Sequence, residues 1–125
     1  MSYIDGFIVP LPKGKEDEYR ALAETFAKKA SAQGALVSVE ALGDDLQPGH
    51  TTDFFKAVKA EDGENVVFSF VVWPDKATRD AGWEKIMADP EMQPGAQPMP
   101  FDGKRMFWGG FKPLVNTLER ATADA

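Results

Sequence analysis

The sequence predicts an α+β fold built on an antiparallel sheet. Short runs of β-branched and aromatic residues are bounded by prolines and glycines, one long stretch carries apolar residues at helical spacing, and a hairpin-like pair of runs sits mid-chain. A chain of 125 residues suits a single domain. At that length roughly two-thirds of the unfolded surface is buried, enough for a core without staples.

Tyr3 to Val9 reads as the first strand, aromatic and β-branched, with Pro10 and Pro12 expected to stop it. Lys15 to Gln33 reads as a helix, because Tyr19, Leu22, Ala23, Phe26, Ala27 and Ala30 fall three and four residues apart. Its first turn holds Glu16, Asp17 and Glu18, where the helix dipole favours acids, and Gly34 supplies the stop. Ala35 to Leu42 is the second strand, followed by a polar loop through Pro48-Gly49.

Phe54 to Ala60 and Val66 to Trp73 read as a hairpin around Glu61 to Asn65. Pro74 ends it, and Asp75 caps a helix running to about Ala88. The stretch from Asp89 to Gly103 holds Pro90, Pro94, Pro98 and Pro100, with a short helical turn expected near Asp89 to Met92. Arg105 to Phe111 is the last strand, and its Gly109-Gly110 pair marks a bulge or a close backbone approach. Leu114, Val115 and Leu118 suit a short C-terminal helix. The domain therefore spans residues 1–115, and 116–125 form a tail that frays at its end. With the hairpin absorbed, the order is that of a ferredoxin-like split β-α-β unit.

Composition narrows the function classes. Absence of cysteine excludes disulfides, a thiol nucleophile and Cys-ligated metals, and fits a reducing, cytoplasmic setting. The start, Met1 to Asp5, has neither a basic nor a long apolar segment, so no signal peptide is expected. The longest apolar run, Val66 to Trp73, is broken by Ser69 and too short for a bilayer, so no membrane partner is expected. A net charge of −6 repels phosphate backbones, and the densest basic pairs, Lys28-Lys29 and Lys104-Arg105, lie near acids. Phe68 and Phe70 with Tyr3 and Phe7 imitate the base-stacking layout of RNA-recognition domains. The basic residue and glycine of that motif are missing, so no nucleic-acid partner is expected.

The strands argue for a homodimer. Helices cover one face of such a sheet, and a sheet with its other face in water alternates apolar and polar residues. Val66 to Trp73 does not: Phe68, Phe70 and Val72 point one way, and Val67, Val71 and Trp73 the other. Phe107 and Phe111 likewise oppose Met106 and Trp108. A second subunit laid sheet to sheet would cover the spare face; the alternative cover is the Pro-rich stretch with the C-terminal tail.

Three segments carry a resemblance. They are Tyr3 to Pro10, Thr52-Asp53-Phe54 through Ala60, and Met99-Pro100-Phe101-Asp102-Gly103-Lys104-Arg105-Met106 leading to Gly109-Gly110-Phe111. Together they resemble the bacterial YbaA-like family, a domain of unknown function (DUF1428), from Tyr3 to about Val115. The resemblance implies a dimeric α/β barrel of two ferredoxin-like subunits and no particular activity. Relatives of that barrel group include cofactor-independent monooxygenases, haem-binding degraders, decarboxylases, isomerases and binding proteins, and fold alone does not choose among them.

No Gly-rich phosphate loop, nucleophile elbow or zinc-protease signature is present. The single histidine, His50, lies in an acidic loop with Asp53, and metal binding there is weighed below the plain reading of a solvated loop whose acids cap turns. No cofactor is expected. Polar residues set among apolar strands are the better candidates: Asp5, Glu40, Lys56 and Arg105, with Asp102 just before the last strand. A desolvated carboxylate between layers has a raised pKa and can serve as acid or base, so Glu40 and Asp102 are the catalytic candidates. Lys56 or Arg105 would hold an anionic group, and Asp5, Trp73 and Trp108 would line the ligand site. Structural salt bridges account for the same residues more simply. The reading is a small-molecule-binding homodimer. Its alternatives are a cofactor-independent enzyme of monooxygenase, isomerase or decarboxylase type, a structural interaction protein and, more distantly, a single-stranded RNA binder.

Overall fold

The structure, a computed structural model, describes residues 1–118. Its elements are β1 (Tyr3–Pro12), α1 (Glu16–Ala32), β2 (Val37–Leu42), α2 (Phe54–Ala57), β3 (Glu64–Trp73), α3 (Lys76–Ala88), a 3-10 turn at Pro90–Met92 and β4 (Phe107–Phe111). The four strands form one open antiparallel sheet in the order β2-β3-β1-β4, the ferredoxin-like arrangement.

Two expectations are corrected. Phe54 to Ala60 is not a strand. Asp53 caps α2 by accepting from the Lys56 backbone N–H at 2.8 Å, which makes the short segment helical despite its strand-like alternation. Lys56 therefore lies on a helix, not inside a strand. Pro10 does not stop the first strand either, since β1 pairs with β3 as far as Pro12↔Glu64. On its other side β4 pairs only from Ile4 to Ile8, so Pro10 lies where β1 is an edge and its missing N–H deprives no neighbour. The expected cap at Asp75 and the turn near Met92 are both present. Of the expected C-terminal helix, Leu114 and Val115 are exposed and not helical, and only residues 117 and 118 are helical within the described residues.

Strand register sorts the side chains. Tyr3, Asp5, Phe7, Val9 and Leu11 share the helix-covered face with Val67, Ser69, Val71 and Trp73. Trp73, Val71, Ala30 and Ile86 form one core cluster, and Val9, Leu11 and Val67 another. Gly82 in α3 allows the helix to lie directly on Trp73, since a β-carbon there would stand 2.8 Å from the indole ring. Gly110 serves the same end in β4, where a β-carbon would meet the Tyr3 hydroxyl at 2.6 Å. The close approach expected at the glycine pair is thus present, and the pairing with β1 runs through it without a bulge.

The opposite face carries Ile4, Ile8, Val37, Val39, Phe68, Phe70, Phe107 and Phe111. On this face Pro10 and Val66 are buried at one end, where α2 contacts β3 and Val58 is buried, and Val72 is buried beside Ile4 and Val37, while Phe68, Phe107 and Phe111 stay exposed. Part of the Pro-rich stretch lies elsewhere: Met92 packs against the cluster of Ala30, Val71, Trp73 and Ile86, and Phe101 against that of Val9, Leu11 and Val67 and edge-on to the Tyr19 ring, all on the helix side. Among the described residues no helix is long and apolar enough to cross a membrane.

Candidate functional site

A cleft of about 270 Å³ opens between α1 and the β2–β3 edge of the sheet. The same helical spacing that makes α1 amphipathic places Tyr19, Ala23, Phe26 and Ala27 along one wall. Parity along the strands places Ser38, Glu40 and Leu42 of β2 and Val67 and Ser69 of β3 along the other. Glu40 and Ser69 are cross-strand partners.

Glu40 is the chemical centre of this cleft. It belongs to the edge strand and is exposed as a residue, yet its carboxylate turns inward. One oxygen accepts from the Tyr19 hydroxyl at 2.8 Å and the other from the Ser69 hydroxyl at 2.9 Å. Burial raises its pKa above the usual carboxylate value, and the two hydroxyl hydrogen bonds only partly oppose that. Tyr19 is pushed up as well, by burial first and then by the charge and hydrogen bond of Glu40. The tyrosine therefore stays a hydrogen-bond donor at neutral pH. No lysine or arginine pairs with Glu40 among the described residues.

The other candidates lie in separate constellations. Asp5 is fully buried and saturated: it accepts from Trp73 Nε1 at 3.0 Å, Trp83 Nε1 at 2.7 Å and Arg79 Nη2 at 2.7 Å. Arg79 in turn lies over the Tyr3 ring, 5.0 Å from its centre. Trp73 belongs to this group as core. Trp108 lies on the helix side too, ring to ring with Phe7 and Trp83 at 6.2 and 6.3 Å, but more than half exposed.

Arg105 clamps the start of β3 to the approach to β4. It pairs with both oxygens of Glu64 at 2.6 and 2.8 Å, with Asp102 at 2.9 Å and with the Lys59 carbonyl at 2.9 Å. Arg105 holds Glu64 and Asp102 below the usual carboxylate range, the opposite of a general acid. Lys56 ties its own loop, donating to the Gly49 carbonyl at 2.7 Å. Asp53 is occupied as the α2 cap and its pKa is lowered by backbone N–H groups, with His50 exposed nearby. Among the described residues no group of histidines and acids is arranged to hold a metal ion.

Glu40 is thus brought together with Tyr19 and Ser69, not with Lys56, Asp102 or Arg105. Tyr19 was legible only as a helix core position, although it is the polar-tipped residue of that stripe. Ser69 had a signal: it interrupts an apolar run at a position that faces the helices. Arg79 had one as well, lying one helical turn before Trp83. The base-stacking layout is not assembled, because Tyr3 and Phe7 face the helices while Phe68 and Phe70 face away.

Comparison with known proteins shows the family. The sequence profile of a family described as a protein of unknown function, DUF1428, matches residues 2–103. An uncharacterized protein of Escherichia coli K-12, YbaA, is 47% identical over 116 residues, covering 93% of this chain and 99% of its own length. The YbaA protein of Shigella flexneri matches to the same extent.

Proposed function

Since the chain belongs to the DUF1428 family of unknown function, we propose on the geometry of its cleft that it is a small-molecule-binding protein acting as a cytoplasmic homodimer. The observation that carries the binding reading is Glu40: a carboxylate turned into an apolar-walled cleft and held at both oxygens by neutral hydroxyls. A few convergent polar groups in a concave, mostly apolar site are what ligand recognition requires. At about 270 Å³ the cleft lies near the small end of ligand pockets, which suits a metabolite-sized ligand.

A second reading is favoured by the same carboxylate. Its raised pKa, with the Tyr19 hydroxyl as a hydrogen-bond donor beside it, fits acid–base catalysis by Glu40 without a cofactor. One experiment separates the two. A metabolite that stabilises the protein against thermal unfolding is followed for chemical conversion with wild type and Glu40→Gln. Binding without turnover in either supports the binding protein. Turnover lost in Glu40→Gln while binding persists supports the enzyme. Ligands whose stabilisation is indifferent to every cleft substitution would remove both.

The homodimer is supported by the apolar rings that the described residues leave exposed on the sheet face away from the helices. Phe68, Phe107 and Phe111 are 45%, 45% and 60% exposed. Full rings offer roughly 150–250 Å² each, so these three leave about 300 Å² open, as large as the largest patch on many monomers. Among the described residues the strand positions of this face from Val37 and Val39 across to Phe107 and Phe111 carry no charged side chain, so a second copy meets it without burying an unpaired charge. Sedimentation at micromolar concentration should give twice the chain mass of 13.7 kDa, and Phe68→Lys with Phe111→Lys should halve it. A monomeric wild type sinks the dimer and leaves the cleft untouched.

A further inference from the structure

We propose that the cleft takes an organic cation: a protonated amine on a compact apolar body, with its ammonium seated on Glu40. The inference rests on reading the cleft as a binding site, and it adds the ligand's charge and shape.

The other inward-turned carboxylates are supplied with a cation. Asp5 has Arg79, Glu64 has Arg105, and Asp89 has Lys29 at 2.7 Å. Glu40 has the Tyr19 and Ser69 hydroxyls alone, which satisfy hydrogen bonding without neutralising charge. An ionised carboxylate offers about four acceptor positions, so roughly two remain for a ligand. The rest of the lining points to the same sign. It holds Glu16 and Glu24 besides Glu40, against Arg20 alone, and Arg20 is exposed and pairs with Asp17 at 3.2 Å. An anion would meet this lining unfavourably, and a cation is drawn to it.

The walls decide what kind of cation. A divalent metal takes about six oxygen ligands, and one carboxylate with two hydroxyls falls well short of that. Leu11, Ala23, Phe26, Ala27, Leu42 and Val67 offer apolar contact instead, which a hydrated ion leaves unused and a carbon skeleton fills. The Tyr19 and Phe26 rings lie in the same lining and add faces that attract an ammonium group.

The test uses three probes that share a ring and differ in charge: 2-phenylethylammonium, 2-phenylethanol and 3-phenylpropanoate. Each is titrated to millimolar concentration against wild type, Glu40→Gln and Tyr19→Phe, with calorimetry for affinity and amide chemical shifts for location. The amide spectrum of each variant also reports whether it is folded. The ammonium probe should bind at least about tenfold tighter than the alcohol, as a charge-assisted hydrogen bond implies. It should shift Ala23, Ser38 and Ser69, and the propanoate should not bind. Glu40→Gln should erase the advantage of the ammonium, and Tyr19→Phe should keep most of it. If the alcohol or the propanoate binds in the cleft as tightly as the ammonium, the cation inference falls and the cleft survives. If no probe moves the cleft residues, both fall.

Discussion

Asp5 and Glu40 project from neighbouring regions of one sheet toward the same helical layer, and the fold treats them in opposite ways. Asp5 on β1 is sealed from water, pinned by two indole N–H groups and paired with Arg79. Glu40 on β2 meets only hydroxyls and opens onto a cleft. The first has no unused valence and no access, so it can only hold α3 against β1. The second has both. Charge carried in the interior and already matched is structure, whereas charge carried inward and left unmatched is where a ligand has something to contribute.

The largest expected effect breaks the closed side of this comparison. Arg79→Met leaves the Asp5 carboxylate buried without its cation and should cost about 3–5 kcal/mol in urea unfolding. A cost near zero would mean that the Asp5–Arg79 pair does not hold α3 against β1, and the contrast with Glu40 would lose its basis.

The next effects concern pH, where the two kinds of carboxylate carry opposite signs. Glu64 is held down by Arg105, so its contribution is present above the ordinary glutamate pKa of about 4.3 and lost as pH falls through the depressed value. Wild-type stability should therefore drop below about pH 4 more steeply than that of Arg105→Gln. Glu40 is raised by burial, so its effect is favourable below about 4.3 and is lost as pH rises through the raised value. Glu40→Gln should match wild type in acid and equal or slightly exceed it at pH 7, by about 0.5 kcal/mol at most. A Glu40→Gln variant clearly weaker at neutral pH would show that the charge is stabilised in place and needs no ligand.

Much of the scaffold was legible because its signals are local. Spacing in α1, the Asp75 cap and the two-sided apolar run of β3 each express a period or a capping rule within a few residues. The segment at Phe54 misled because alternation and capping disagree there, and the Asp53 cap outweighs four residues of pattern. Glu40 was legible as a polar residue facing the helices. Its partner Tyr19 was not, since a contact between residues 21 apart depends on how α1 lies across β2, which no local period encodes. Arg105 looked like a ligand-binding cation for the same reason: its partner Glu64 is 41 residues away, and only the packed sheet end brings them together.

The most direct measurement is a carbon-detected titration of the side-chain carboxyls, read in one sample. Glu40 is predicted to titrate above the ordinary glutamate value, with Glu64 and Asp102 below theirs, and addition of 2-phenylethylammonium is predicted to lower the Glu40 value alone. A Glu40 that titrates with or below Glu64, indifferent to the probe, would contradict the account.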